Sequence, residues 1–165
     1  MQQQEIESGA TTSEVIYRIE VVTGRDFGAG TDSNVFCTLT GELGLSSGEF
    51  QLSNSLLHLN KFERGQIDTF EYCCVSLGRI REVTIRSDNT GLGCDWQLDR
   101  VIVTVHNRVF AHRTVKHHPV HFQYGKWLNE KNVVVVLKPS KQAREKQGGS
   151  SLGIMQKLAG LRSLH

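Results

Sequence analysis

The feature that most limits what this chain can fold into is a period of two. Between positions 15 and 22 the apolar Tyr17, Ile19 and Val21 are separated by the polar Arg18 and Glu20, and between 34 and 40 Val35, Cys37 and Leu39 recur in the same way. Successive side chains of an extended backbone point to opposite faces, so both segments predict half-buried strands. Further strands are expected over 69–75, 82–86, 99–106, 109–115, 121–124 and 132–137, several of them rich in β-branched or aromatic residues. Gly-, Asn- and Asp-bearing turns such as 23–30 and 87–91 separate them, and no internal segment recurs at three and four as a packed helix would. About eight short strands joined by such turns predict an all-β sandwich or barrel.

The 165 residues suffice for one core of ordinary size rather than two. With 38% hydrophobic and 22% charged residues the chain has the composition of a folded protein, not of a disordered or fibrous one. No run approaches the roughly 18 apolar residues of a membrane span, and the opening MQQQEIESGATTSE has neither a basic nor an apolar leader region. Cys37, Cys73, Cys74 and Cys94 form no CxxC pair, so free thiols in a reducing, cytoplasmic compartment are expected.

Charge divides the chain into three. Residues 1–14 carry three Glu and no base, 15–137 are neutral with thirteen charges of each sign, and 138–165 carry six bases against one Glu, a net +5. The expected organisation is a flexible segment 1–14, a β domain 15–137 and a basic flexible tail 138–165. In that tail Ile154, Met155, Leu158, Leu161 and Leu164 can share one face of a short amphipathic helix. A neutral body argues against generic nucleic-acid binding.

Three groups of motifs, in order, carry a family resemblance. The first is Tyr17-Arg18-Ile19-Glu20-Val21-Val22-Thr23-Gly24 with Gly28-Ala29-Gly30-Thr31-Asp32. The second is Phe62-Glu63-Arg64-Gly65-Gln66-Ile67-Asp68-Thr69-Phe70. The third is Ser87-Asp88-Asn89-Thr90-Gly91 with Trp96-Gln97-Leu98-Asp99, closed by Lys126-Trp127-Leu128. Together they resemble the PLAT, or lipoxygenase-homology, domain over roughly 15–137, most of all as it occurs in standalone or tandem-repeat proteins. The resemblance implies an antiparallel eight-stranded β-sandwich of two four-stranded sheets. It also implies a docking module for membranes or proteins, with catalysis left to separate domains.

The turn residues carry chemistry of their own. Thr31, Asp32 and Asn34 in one turn, and Asp88 and Asn89 in another, combine short oxygen-bearing side chains with glycines that free backbone carbonyls. Calcium takes six to eight such oxygens. Asx residues also favour turns simply because they bond their own backbone. The resemblance adds weight to a calcium site of Gly30, Thr31, Asp32, Asp88 and Asn89, with Asn60 a weaker contributor, and with so few carboxylates the affinity should be weak. Beside these turns, Phe27 and Leu92 are candidates for membrane contact, each worth about 1.5–3 kcal/mol if fully buried in the interface. Trp96 and Trp127 are expected in the core.

Other chemistries find less support. His112, His117, His118 and His121 match no ligand pair that includes two Cys, which disfavours zinc, and 107–119 reads as an extended hairpin. Cys73 and Cys74 should alternate, one buried and one exposed. No G-x-S-x-G elbow is present, and Gly28-Ala29-Gly30 lacks the rest of a dinucleotide fingerprint. The leading expectation is therefore a non-enzymatic module, peripheral to membrane or cytoskeleton. It would bind an anionic membrane surface with calcium's help, and no nucleic acid or small-molecule substrate. The alternative is a protein-interaction scaffold in which calcium is absent or only structural.

Overall fold

A computed structural model describes residues 14–107 and 118–141. Eight strands run through them: β1 (Glu14–Thr23), β2 (Val35–Gly41), β3 (Ser46–Gln51), β4 (Ile67–Val75), β5 (Ile80–Ser87), β6 (Trp96–Asn107), β7 (Val120–Leu128) and β8 (Val133–Leu137). They form two four-stranded antiparallel sheets, in the orders β4-β1-β6-β7 and β3-β2-β5-β8. This is the sandwich expected. Among the described residues no helix is long and apolar enough to cross a membrane.

The alternation in β1 and β2 does what its period implies. Tyr17, Ile19 and Val21 point inward from one sheet and Val35, Cys37 and Leu39 from the other, each at most 1% exposed. Between them Trp96, Leu98, Val101 and Phe122 complete the core. Two buried hydrogen bonds brace this frame. The Leu77 amide donates to the Tyr17 hydroxyl at 2.7 Å, and Trp96 Nε1 donates to Thr23 Oγ1 at 3.0 Å. Each pairs a polar atom that would otherwise be stranded in an apolar interior. The Tyr17–Leu77 approach also explains Gly41, because a Cβ there would lie 1.7 Å from the Leu77 carbonyl oxygen.

The structure departs from the sequence reading in two places. β3 was not anticipated, and its sequence, SSGEFQ, offers only Phe50 as an inward anchor; that ring stacks on Tyr72 of β4 with centroids 3.8 Å apart. Trp127 is not a core residue: it pairs with Gln97 on the outer face and is 37% exposed, whereas its neighbour Leu128 pairs with Trp96 and is buried. A strand can turn only one of two successive side chains inward. Cys73 is exposed and Cys74 half-buried, the alternation expected, and all four cysteines are free. The expected strand over 109–115, His112, His117, the segment 1–13 and the tail helix lie outside the described residues.

Candidate functional site

Strand registers decide which loops can meet. Val22 at the end of β1 pairs with Ile67 at the start of β4, Phe36 with Gln51, and Val35 with Ser87. The loops 24–34, 52–66 and 88–95 therefore emerge at one end of the sandwich, where the turn 129–132 also lies because Trp96 pairs with Leu128. All eight candidate residues belong to these three loops.

The loops are laced together by short polar side chains. Thr31 is 4% exposed and donates from Oγ1 to the Cys94 carbonyl at 2.9 Å, while Ser33 Oγ donates to the Thr90 carbonyl at 3.0 Å. Both bonds join the first loop to the third. The first loop meets the second at Gly30, where an added Cβ would stand 3.0 Å from the Phe62 carbonyl oxygen and 3.2 Å from the Arg64 amide; Thr31 N donates to that same carbonyl at 3.2 Å. A side chain at Gly30 would push the two loops apart, which is why the G-T-D and F-E-R-G motifs fit each other.

The second loop has its own brace. Asp68 is fully buried, and its carboxylate accepts from the Phe62 amide at 2.7 Å and from Gln66 Nε2 at 3.0 Å, with His58 Nδ1 3.3 Å away. Phe62 has φ +60, a left-handed conformation that a bulky residue adopts only when held. Asp68 holds its amide, and Trp96 and Phe70 hold its ring. The spacing of six between Phe62 and Asp68 in F-E-R-G-x-x-D is thus the span of one hydrogen-bonded loop end.

The candidate ligands differ in what their oxygens already do. Asp88 Oδ1 accepts from Asn34 N at 3.0 Å, Thr90 N at 3.1 Å and Thr90 Oγ1 at 2.9 Å, and Oδ2 accepts from Asn34 Nδ2 at 2.8 Å. Burial pushes the Asp88 carboxyl upward, but these four hydrogen bonds to the ionised form outweigh it and hold the group below the ordinary aspartate range. Asn89, at φ +50, accepts from Ser87 Oγ at 2.9 Å, and Asn60 Nδ2 donates to Glu63 at 2.5 Å. Asp32 is exposed, its Cβ facing Gly91 across the gap between the first and third loops. Calcium fits this donor set weakly: Asp32 is the candidate carboxylate whose oxygens carry no hydrogen bond among the described residues, and Asp88 would have to give up bonds to Asn34 or Thr90 to join it. Among the described residues no three His, Cys, Asp or Glu side chains cluster as a metal site.

Phe27 and Leu92 stand apart from this lacing. They occupy the tips of the first and third loops and are 93% and 92% exposed. Leu59 of the second loop is also fully exposed, a residue the sequence reading passed over although an apolar residue beside Asn60 was the available signal. Gln97 was passed over too. It donates to Asp26 Oδ2 at 2.6 Å and accepts from Asp26 N at 3.2 Å, pinning the base of the Phe27 loop to β6. A Cβ on Gly24 would fall 1.9 Å from Gln97 Oε1, so that clamp needs glycine opposite it.

Comparison with known proteins gives consistent results. Residues 17–137 match the model of a family described as "PLAT/LH2 domain". The chain is 40% identical over 115 residues to human "Lipoxygenase homology domain-containing protein 1", a match that covers 70% of this chain and 5% of that protein. The chain thus spans about one twentieth of the curated relatives it matches. Among solved structures it resembles coral 8R-lipoxygenase, described as calcium-activated through a C2-like domain, with TM-score 0.59 and 27% identity over 76% of this chain and 17% of that one. It also resembles a calcium-dependent 11R-lipoxygenase, with TM-score 0.57 and 25% identity over 88% of this chain and 21% of that one.

Proposed function

Because the chain belongs to the PLAT/LH2 domain family, we propose that it is a non-enzymatic docking module whose three-loop end seats on a membrane surface. The single observation that carries this reading is the exposure of Phe27 and Leu92 at the tips of two loops braced against each other. Apolar side chains held out on a fixed polar frame cost free energy in water and regain it in the interfacial region of a bilayer. Burying both fully is worth about 3–6 kcal/mol, enough for reversible rather than permanent attachment.

Calcium has a supporting part in this proposal. Asp32, with backbone carbonyls around Gly30, would hold the ion at the loop end, and Asp88 and Asn89 contribute only if their loop bonds rearrange. The ion would supply positive charge between an acidic loop and an anionic headgroup. The basic tail, net +5, adds attraction of about 1 kcal/mol per residue close to an acidic leaflet. Its place is peripheral, on a cytoplasmic membrane face.

One observation favours the scaffold reading instead. The side chains of Thr31, Asp88 and Asn89 are spent on internal bonds, so the loops hold their shape without metal. Calcium titration by calorimetry, on the wild type and Asp32→Ala, with and without anionic vesicles, separates the two. Saturable heat that is lost in Asp32→Ala and tightened by vesicles supports the calcium-assisted module; no heat in any arm leaves a metal-free docking surface.

A further inference from the structure

Beside the Phe27 loop, on the outer face of the β4-β1-β6-β7 sheet, lies a cavity of about 370 Å³ that none of the foregoing uses. Its floor is Val22, which is only 7% exposed yet stands outside the core cluster, on the far face of β1. Ile67 of β4 forms one wall, and Gly65 and Gly125 leave the flanks open by having no side chain. Two cations, Arg25 and Arg100, and two carboxylates, Asp26 and Asp99, line the same space.

The charges are unequally engaged. Arg100 pairs with Asp99, which also accepts from Gln123 Nε2 at 3.0 Å. Asp26 is fixed through Oδ2 by Gln97, which leaves Oδ1 to accept from elsewhere. Arg25 forms no ion pair among the described residues, and its stem passes near Gly65. A groove with a free guanidinium, a half-used carboxylate and an apolar floor does not suit a simple anion, which would face Asp26 and Asp99 as well as the two arginines. It suits a ligand that carries both signs.

We infer that this groove binds a phosphodiester headgroup bearing a primary ammonium, presented by the bilayer on which Phe27 seats. Arg25, which has no ion-pair partner among the described residues, takes the phosphate, because guanidinium N–H groups match phosphate oxygens in pairs. Asp26 takes the ammonium, whose three N–H donors need oxygen acceptors. A quaternary ammonium offers no N–H and is held instead by aromatic cages, and among the described residues no aromatic side chain lines the cavity. The groove therefore discriminates ethanolamine-type from choline-type headgroups. This inference rests on the membrane-docking reading for the source of its ligand, though not for the chemistry of the groove.

The test has a vesicle arm and a soluble arm, both on the full chain. In the vesicle arm, binding to phosphatidylcholine vesicles is compared with binding to vesicles containing 30 to 50% (about that range) phosphatidylethanolamine, for wild type, Arg25→Gln, Asp26→Asn and Phe27→Ser. Wild type is expected to prefer the ethanolamine vesicles by about tenfold, the effect of one charge-assisted hydrogen bond pair. Asp26→Asn should erase the preference and Arg25→Gln should weaken binding, whereas Phe27→Ser should weaken both vesicle types alike and keep the preference. Wild-type binding without preference overturns the groove and leaves docking intact. In the soluble arm, glycerophosphoethanolamine, glycerophosphocholine and inorganic phosphate are titrated while the Gln97 side-chain amide and the Gly125 amide are followed by NMR. Shifts with the ethanolamine probe that are absent in Asp26→Asn support the groove even if no vesicle binds, which would fault the docking reading alone. Equal shifts with inorganic phosphate, equal shifts with the choline probe, or no shift at all overturn it.

Discussion

Asp88 and Asn34 grip each other three ways: the Asp88 carboxylate accepts both the backbone amide and the side-chain amide of Asn34, and the Asp88 amide donates back to the Asn34 carbonyl at 3.1 Å. One residue follows β5 and the other precedes β2, so this grip fixes where two of the three exposed loops leave the sandwich. The display of Phe27 and Leu92 depends on it.

Replacing Asp88 with Ala should therefore loosen the loop end before it unfolds the domain. The expected loss is about 1–2 kcal/mol in chemical denaturation, since the residue is only half-buried and water can replace part of the network. The carboxyl is held below its ordinary range, so its contribution is complete above the unfolded value near 4 and disappears as pH falls through the lower folded value. Wild type and Asp88→Ala should accordingly converge in stability as the pH falls below the ordinary aspartate range. A difference that persists unchanged in acid would show that the network does not act through the ionised carboxylate.

Tyr17→Phe removes one oxygen from the core. It strands the Leu77 amide, which lies in a fully buried position, and should cost about 1–3 kcal/mol with no change in vesicle binding. Paired denaturation curves and sedimentation assays check both halves.

The thiols should report the sandwich without any mutation. Burial pushes the Cys37 thiol far up and seals it, whereas Cys73 is exposed on the edge strand β4. Burial also raises Cys74, with its neighbour Cys73 adding to the effect. Thiol labelling at mildly alkaline pH should modify Cys73 first, and Cys37 only at the rate of unfolding. Rapid labelling of Cys37 would contradict the core.

What the sequence made legible follows from which forces leave a local trace. Alternation marks a strand that divides core from solvent, so β1 and β2 could be read directly from Tyr17, Ile19, Val21 and their counterparts. β3 left almost no trace, because it lies at a sheet edge, includes Gly48 at φ +70 and places only Phe50 against the rest. Trp127 misled for a related reason: an aromatic residue suggests burial, but the pairing of Leu128 with Trp96 had already claimed the inward face. The loop residues were recognisable as a group, and the structure brings their loops to one end. The division of labour within the group was not recognisable, since whether Asp88 faces solvent or Asn34 depends on a contact 54 positions away in the chain. The groove of Arg25 and Arg100 was invisible for the same reason, being assembled from four strands and the loops above them.

The most direct test of the account is co-sedimentation of the full chain with anionic vesicles, wild type against the double variant Phe27→Ser with Leu92→Ser. Both side chains are more than nine-tenths exposed, so the double variant should fold with unchanged stability. The account predicts that it loses vesicle binding by about a hundredfold or more, as expected when two apolar anchors together worth about 3–6 kcal/mol are removed from the interface. Wild-type binding that survives undiminished in the double variant would show that the loop end is not the docking surface.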